Sequence, residues 1–265
     1  MLIDSHCHLD AAEFDADRQT VLGAAFAAGV GMIVVPAVHR STFEPVLNLT
    51  RQYPQCVCAL GIHPMYVERS SMEDIGALEP LLQDPHVVAV GEIGLDFFVE
   101  GYDRTLQEAF FIEQLKLAKA HDLPVILHVR RSIDIILKYL RIHRVRGGIA
   151  HAFNGSEQQA QEFIRLGFKL GFGGAMTYPR ATRLRKLAAV LPLESIVLET
   201  DAPDIPPEWL GHGGRNSPEH LPQIAQVLAE LRGAEISQII DTTGRNVLQA
   251  LPRLGNLCTP AHKSH

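Results

Sequence analysis

The segment Met1–Asp10, MLIDSHCHLD, places a short β-suited run, Leu2–Asp4, just before two histidines on alternate positions, His6 and His8. Taken alone, it reads as a strand that ends in polar residues. The same pattern recurs along the chain. Val87–Val90 is followed by Glu92 in VAVGEIGLD, and Val125–Leu127 by His128 in LPVILHVR. Ile149–Ala150 is followed by His151 in GGIAHAFNGS, and Ile196–Leu198 by Asp201 in IVLETDAPD. With Met32–Val35, Val57–Leu60 and Phe168–Gly171, and with Gly148–Ala150 as the sixth run, there are eight strand candidates. Their continuous apolar character suits strands buried on both faces.

Helix patterns lie between the runs. Phe111, Ile112, Leu115 and Ala118 form an apolar stripe at i, i+1, i+4 and i+7. Start signals are Thr105 with Glu108, Ser156 with Gln159, and Ser217 followed by Pro218. Eightfold strand–helix alternation predicts an α/β protein, a (β/α)8 TIM barrel. An open doubly wound sheet would gather its ligand at one switch point, whereas here the polar residues are spread over many strands. Beyond the eighth unit, Ile236, Ile239, Ile240, Thr243 and Val247 predict one extra C-terminal helix packed outside the barrel. Residues 1–257 read as a single domain and 258–265 as a flexible tail.

Hydrophobic residues make up 46% of the 265 and charged residues 20%, which suits a soluble protein with a large core. No apolar run approaches the ~18 residues of a membrane span. The first ten residues carry neither a basic nor an apolar leader region, so a cytoplasmic location is expected. A net charge of −6 argues against coating nucleic acid by charge alone, although two bound divalent cations would reverse the field locally. Cys7, Cys56, Cys58 and Cys258 have neither CxxC nor zinc-knuckle spacing and are expected to be reduced, mostly buried thiols. Strand alternation turns Cys7 away from His6 and His8, towards packing.

In a barrel of parallel strands, His6, His8, Glu92, His128, His151 and Asp201 all fall at the C-terminal rim, where such barrels carry their active sites. Any one of them has the plainer reading of a hydrogen-bonded loop residue. Six such residues at the ends of five strands point jointly to a site. Four imidazoles and two carboxylates suit two divalent cations sharing a carboxylate. Alternation also lets both histidines of the HxH pair reach one ion.

The motifs IDSHCHLD, GIHP, VGEIGLDF, LPVILHVR, HAFNGS and ETDAPD, in this order from Ile3 to about Pro222, resemble the TatD family of metal-dependent hydrolases and nucleases. That family belongs to the amidohydrolase-like barrel superfamily. The resemblance implies one ion held by His6, His8, Glu92 and Asp201, and a second by Glu92, His128 and His151. Glu92 then bridges, and Asp201 is also the general base, so both count as catalytic. His63 in GIHP matches a position that contacts substrate phosphate; its plainer reading is a capped turn before Pro64. Asp96 reads as orienting a ligand and Arg130 as clamping phosphate, and both also read as rim salt bridges. Dihydroorotase-type relatives bridge their metals with a carboxylated lysine on the fourth strand, where this chain has Glu92 and no lysine nearby.

The resemblance further implies a phosphodiesterase, a 3′-5′ exonuclease on single-stranded DNA or RNA, using two divalent ions (Mg²⁺/Mn²⁺ or Zn²⁺). No membrane partner is implied, and a monomer is expected. The chain departs from the family nucleases at Asp204, where many carry an aromatic residue, and it keeps only part of their basic stretch, at Arg215-Asn216. These departures favour a paralogue branch. They also open a second expectation, hydrolysis of a small ester, amide or phosphoester. Trp209 reads either as a base-stacking platform or as packing. A barrel that binds metal or a partner without catalysis is a third reading, which no substitution at a ligand position calls for.

Overall fold

The computed structural model describes residues 1–258; the rest of the expected tail, 259–265, lies outside the described residues. Each apolar run forms a strand. They are β1 (Leu2–Asp4), β2 (Val30–Pro36), β3 (Cys56–Leu60), β4 (Val87–Asp96), β5 (Val125–Arg130), β6 (Gly148–Ala150), β7 (Phe168–Phe172) and β8 (Ile196–Leu198). All pair in parallel, in the order β1-β2-β3-β4-β5-β6-β7-β8. The sheet closes on itself at the rim. Ser5 N–H donates to Leu198 O (3.1 Å), Asp201 N–H to His6 O (2.8 Å) and His8 N–H to Ala202 O (2.8 Å). Beneath these bonds the buried Asp4 carboxylate accepts from Thr200 N–H (3.0 Å) and Thr200 Oγ1 (2.6 Å). The structure is a TIM barrel.

Among the described residues, ten α-helices alternate with or follow the strands. They are α1 (Arg18–Ala27), α2 (Arg40–Gln52), α3 (Met72–Gly76), α4 (Arg104–Ala120), α5 (Ile133–Ile142), α6 (Glu157–Arg165), α7 (Thr182–Val190), α8 (Leu221–Arg232), α9 (Ile236–Ala250) and α10 (Pro252–Cys258). Ser156 and Gln159 form the expected reciprocal cap on α6. The start of α4 differs from expectation. Asp103, two residues before Thr105, accepts from Thr105 N–H (2.8 Å) and Leu106 N–H (3.1 Å). A carboxylate both bonds the free donors and complements the positive helix end, so it displaces the hydroxyl. Ser217 makes no side-chain cap. It precedes a single 3-10 turn, Pro218–His220, that runs into α8.

Strands β4 and β5 extend past their apolar runs, so Glu92 and His128 lie within strands instead of after them. The ladder continues because Ile93 and Leu95 join the helix-facing core while Glu92 does not. Gly94 pairs with His128, and a Cβ there would come within 2.0 Å of His128 O. Close approach of the two chains therefore requires glycine at this position. Cys7, Cys56 and Cys58 are buried free thiols, as expected.

The extra C-terminal helix packs outside the barrel through Ile236, Ile239 and Ile240, which join the helix-facing core, while its end turns under the barrel floor. Inward-facing Ile3, Val34, Val57, Val88, Ile126, Ile149 and Val197 form one cluster with Val247 and Ala250 of α9 and Leu251 and Leu254 at α10. Polar anchors fix this plug at the N-terminal strand ends. Asn246 Nδ2 donates to Leu193 O (2.8 Å) and Ile196 O (2.7 Å), and an Arg253 guanidinium nitrogen donates to Leu82 O (2.7 Å) and Val87 O (3.0 Å). An apolar barrel interior left open at its base would meet water, and covering it gains the hydrophobic term. Among the described residues no helix is long and apolar enough to cross a membrane.

The plug should be a measurable element of stability. Asn246→Ala leaves two buried carbonyls without their donor and is expected to lower the unfolding free energy by about 2–3 kcal/mol. Urea unfolding reads the effect, and a midpoint equal to wild type would show that these bonds do not hold the plug.

Candidate metal centre

Glu92 is the hub of the rim cluster and is buried. Its two oxygens face different imidazoles. Oε2 lies 3.2 Å from His6 Nε2 and 3.4 Å from His8 Nε2. Oε1 lies 2.9 Å from His151 Nε2, 3.0 Å from His128 Nδ1 and 3.5 Å from His63 Nε2. Asp201 Oδ1 stands 3.5 Å from His6 Nε2 and 3.6 Å from His8 Nε2, which are themselves 3.3 Å apart. All six residues singled out at the rim therefore meet. Three sets bring one side-chain ligand atom from each residue within 4.8 Å of one another: His6–His8–Asp201, His6–Glu92–His151 and His63–Glu92–His128.

Each side chain owes its place to its backbone. His6 and His8 project together because they alternate after β1, while Cys7 turns into the helix-facing core. Asp201 has φ 57°, a left-handed conformation that aspartate enters at smaller cost than most residues, and its carbonyl accepts from Asp204 N–H (2.8 Å).

Outer contacts select which ring nitrogens face inward. Asp96 Oδ2 lies 3.1 Å from His128 Nε2, so the carboxylate takes the Nε2–H and Nδ1 is turned to Glu92. Asp96 also lies 3.8 Å from the Arg130 guanidinium, so it both orients a ring and forms a rim ion pair. His63 forms the capped turn of its plainer reading. Its Nδ1 accepts Met65 N–H (3.1 Å) and caps the turn Pro64–Arg69, and its Nε2 enters the cluster. An accepting Nδ1 places the proton on Nε2 of the neutral ring, which makes Nε2 a donor and not a metal ligand.

The protein groups alone set strong and opposing charges. Burial on its own would raise the Glu92 carboxyl, but the imidazoles of His151, His63 and His6 and the hydrogen bond from His128 hold it well below the ordinary glutamate range. Burial and the neighbouring His151 keep His6 well below the usual imidazole value. For His8 burial opposes protonation, yet the hydrogen bond to Glu92 and the charges of Glu92 and Asp201 push it up to about 9. His151 also lies well above its usual value: burial is outweighed by the charges of Glu92 and Asp201. Burial raises Asp201 to about 6, against the pull of His151 and His8.

The cluster opens into a cavity of about 1020 Å³ at the rim, lined also by Arg130, Asn154, Phe172 and Asp204. Glu199, which the sequence analysis did not select, lines it too. Its buried Oε1 accepts Ala152 N–H (2.5 Å) and lies 3.7 Å from His151 Nδ1. Gly171 leaves the room for it, since a Cβ there would come within 2.1 Å of Glu199 Oε2. The signal was present: Glu199 and Asp201 alternate at the end of β8 as His6 and His8 do after β1. Two other candidates stand elsewhere. Trp209 packs partly buried against the core with its indole N–H 3.5 Å from His220 Nδ1, and Arg215 forms a two-pronged ion pair with Asp17 (2.9 and 2.7 Å).

A parallel eight-stranded barrel with imidazoles and carboxylates converging at its C-terminal rim defines the class of metal-dependent hydrolases. The model of the TatD-related DNase family matches residues 3–252. YjjV of Escherichia coli K12, named an uncharacterized metal-dependent hydrolase, is 45% identical over 240 residues, covering 89% of this chain and 92% of its own. The crystal structure of YjjV superposes with a TM-score of 0.91 at 43% identity, over 95% of this chain and 98% of that one. TatD of E. coli K12, named a 3'-5' ssDNA/RNA exonuclease, is 31% identical over 252 residues, 93% of this chain and 97% of its own. The chain belongs to the TatD family of metal-dependent hydrolases and deoxyribonucleases.

The state of His63 is open to measurement. Burial and the neighbouring His128 lower its pKa to about 4 from an ordinary 6.5. Between those values the unfolded ring binds more protons than the folded one, so this residue makes stability rise with pH across that window. Ring nitrogen–proton correlation NMR is expected to show the neutral Nε2–H tautomer from pH 5 to pH 8. A ring that titrates near its ordinary value would contradict the capped geometry.

Proposed function

We propose that the chain is a two-metal phosphodiesterase that shortens single-stranded DNA or RNA from the 3′ end. The observation that carries this reading is the division of Glu92, whose Oε2 faces His6 and His8 and whose Oε1 faces His128 and His151. One ion is assigned to His6, His8, Glu92 and Asp201, the other to Glu92, His128 and His151. The residues fit such ions: a buried carboxylate shared by imidazoles on both sides, with Asp96 behind His128 and Glu199 behind His151. Four histidines favour Zn²⁺ or Mn²⁺ by softness, while Mg²⁺ would keep more water.

When bound, such a pair of cations acidifies water and stabilises charge on a phosphoryl oxygen. The remaining work belongs to the chain. Asp201 Oδ1 faces His6 and His8, which leaves Oδ2 to take the proton of the attacking water. The His63 Nε2–H is aimed into the cluster and donates to a non-bridging phosphate oxygen. Arg130, at the cavity mouth, binds phosphate through its exposed guanidinium. The name of the relative TatD, a 3'-5' ssDNA/RNA exonuclease, supports the polymer as substrate and the 3′ polarity.

Asp204 favours a second reading. It puts another carboxylate in the cavity wall, which suits a small ester or phosphoester better than a long polyanion.

Single-stranded oligonucleotides incubated with Mn²⁺ or Mg²⁺ are expected to lose nucleotides from the 3′ end. Chelation should abolish the activity, and added metal should restore it. Asp201→Asn is expected to slow turnover by a factor on the order of 10²–10⁴, and His128→Ala should lose metal as well as activity. Intact oligonucleotides under every metal, with turnover of small esters, would replace the first reading by the second.

A further inference from the structure

Two consecutive arginines, Arg130 and Arg131, leave the end of β5 beside the metal cluster in a chain of net charge −6. Both guanidinium carbons lie over the ring of Phe98, at 3.9 Å and 4.6 Å from its centroid. Phe98 is 43% exposed, although a solvated phenylalanine gains nothing from water. The arrangement is built from below. Asp96 Oδ1 accepts the N–H groups of Phe98 (2.9 Å) and Val99 (3.3 Å), Phe97 N–H donates to Arg130 O (2.9 Å), and Ser132 Oγ donates to Leu95 O (2.7 Å). These bonds lock the turn after β4 to the turn after β5, where Arg131 takes the left-handed φ of 53°.

The charges in this patch are less tightly paired than those of several other surface arginines. Arg40, Arg51, Arg146 and Arg215 each have a carboxylate oxygen at 2.7 Å. Arg130 has only Asp96, at 3.8 Å, and among the described residues Arg131 forms no ion pair. A guanidinium held over an aromatic ring by cation–π attraction spends none of its N–H groups on a carboxylate and can still donate them to phosphate.

We propose that Phe98, Arg130 and Arg131 form a subsite for the polynucleotide backbone, which grips a phosphodiester beyond the scissile one. This rests on the phosphodiesterase reading and sharpens it, because a small phosphoester has no second phosphate to offer. Phe98 holds the two guanidinium groups, and Arg131 extends the positive surface away from the candidate metal centre. The local charge offsets Asp204 and the acidic net charge, so a polymer is recognised at this wall of the mouth.

Fluorescence anisotropy with a labelled phosphorothioate oligothymidylate and Mg²⁺, across a salt series, tests the proposal without requiring turnover. Arg131→Gln is expected to weaken binding about tenfold at low salt and to lower the slope of log affinity against log salt by about 0.7, the value of one phosphate contact to a single strand. Phe98→Ala keeps both charges and is expected to weaken binding with a smaller change of slope. Arg146→Gln, whose partner is Asp122 at a distant surface, is the control and should leave affinity and slope unchanged. In kinetics on a phosphodiester oligonucleotide, Arg131→Gln should raise KM and keep kcat. Wild-type affinity and slope in both Arg131→Gln and Phe98→Ala would overturn the subsite while leaving hydrolysis of oligonucleotides intact. A wild type that hydrolyses neither oligonucleotides nor bis(p-nitrophenyl) phosphate would instead sink the phosphodiesterase reading, and the binding series would still decide the subsite.

Discussion

An ionised carboxylate buried inside a barrel is expensive unless charges and donors surround it. Glu92 meets that requirement with nitrogen atoms from His6, His8, His63, His128 and His151, all within 3.5 Å of one or other of its oxygens. Those five rings arrive from four different strand ends, so the carboxylate is solvated only when the barrel is assembled. The dependence runs in both directions. Without Glu92 the imidazoles that it holds charged, His8 and His151 among them, would repel one another in the same low-dielectric space. The rim is therefore one coupled electrostatic unit, and a divalent cation could take over the role of the imidazole protons without moving the heavy atoms far.

Such a unit needs a frame that does not yield. At the rim, the hydrogen bonds that close β8 onto β1 run through the same backbone that carries His6, His8 and Asp201. Closing the sheet and positioning these candidate ligand atoms are thus a single event. At the opposite end, α9 and α10 cover the interior with Val247, Ala250, Leu251 and Leu254 and fasten to strand starts through Asn246 and Arg253. The polar chemistry sits at one mouth and the apolar seal at the other, the division expected where barrel stability resides at the N-terminal face.

The eight strands were legible because each apolar run is short, continuous and bounded, and six site residues were legible because each sits at the end of one. What escaped has physical reasons. Polar Glu92 and His128 interrupt the apolar pattern, yet β4 and β5 continue beneath them, since ladder bonds do not depend on side-chain polarity. Asp103 was overlooked as a cap because Thr105 and Glu108 imitate a capping box. The amphipathic stripe of α9 shows the apolar face that joins the outer layer but does not say that the end of the helix turns under the barrel floor. Glu199 was masked by Asp201, two residues further on, and its role depends on the space at Gly171, a tertiary fact. Phe98 and Arg131 could not be paired from sequence either, for they lie on different loops and meet only because Asp96 and Ser132 tie those loops together.

Asp96 connects these levels most directly. One of its oxygens caps the turn that presents Phe98, and the other accepts the hydrogen bond of His128 and faces Arg130. Burial opposes its ionisation, but the hydrogen bond from His128 and the backbone donors bring its carboxyl down to about 2, so it is a fixed negative charge at any working pH. A fixed charge there keeps Nδ1 of His128 turned inward and restrains the guanidinium of Arg130 without a tight ion pair. At 3.8 Å the pairing is loose enough for a phosphate to compete for the arginine, whereas a 2.7 Å pair such as Arg51–Asp84 would have to be broken first. The same carboxylate thereby serves the metal side and the substrate side of the proposed site. It also ties the platform of Phe98, Arg130 and Arg131 to His128.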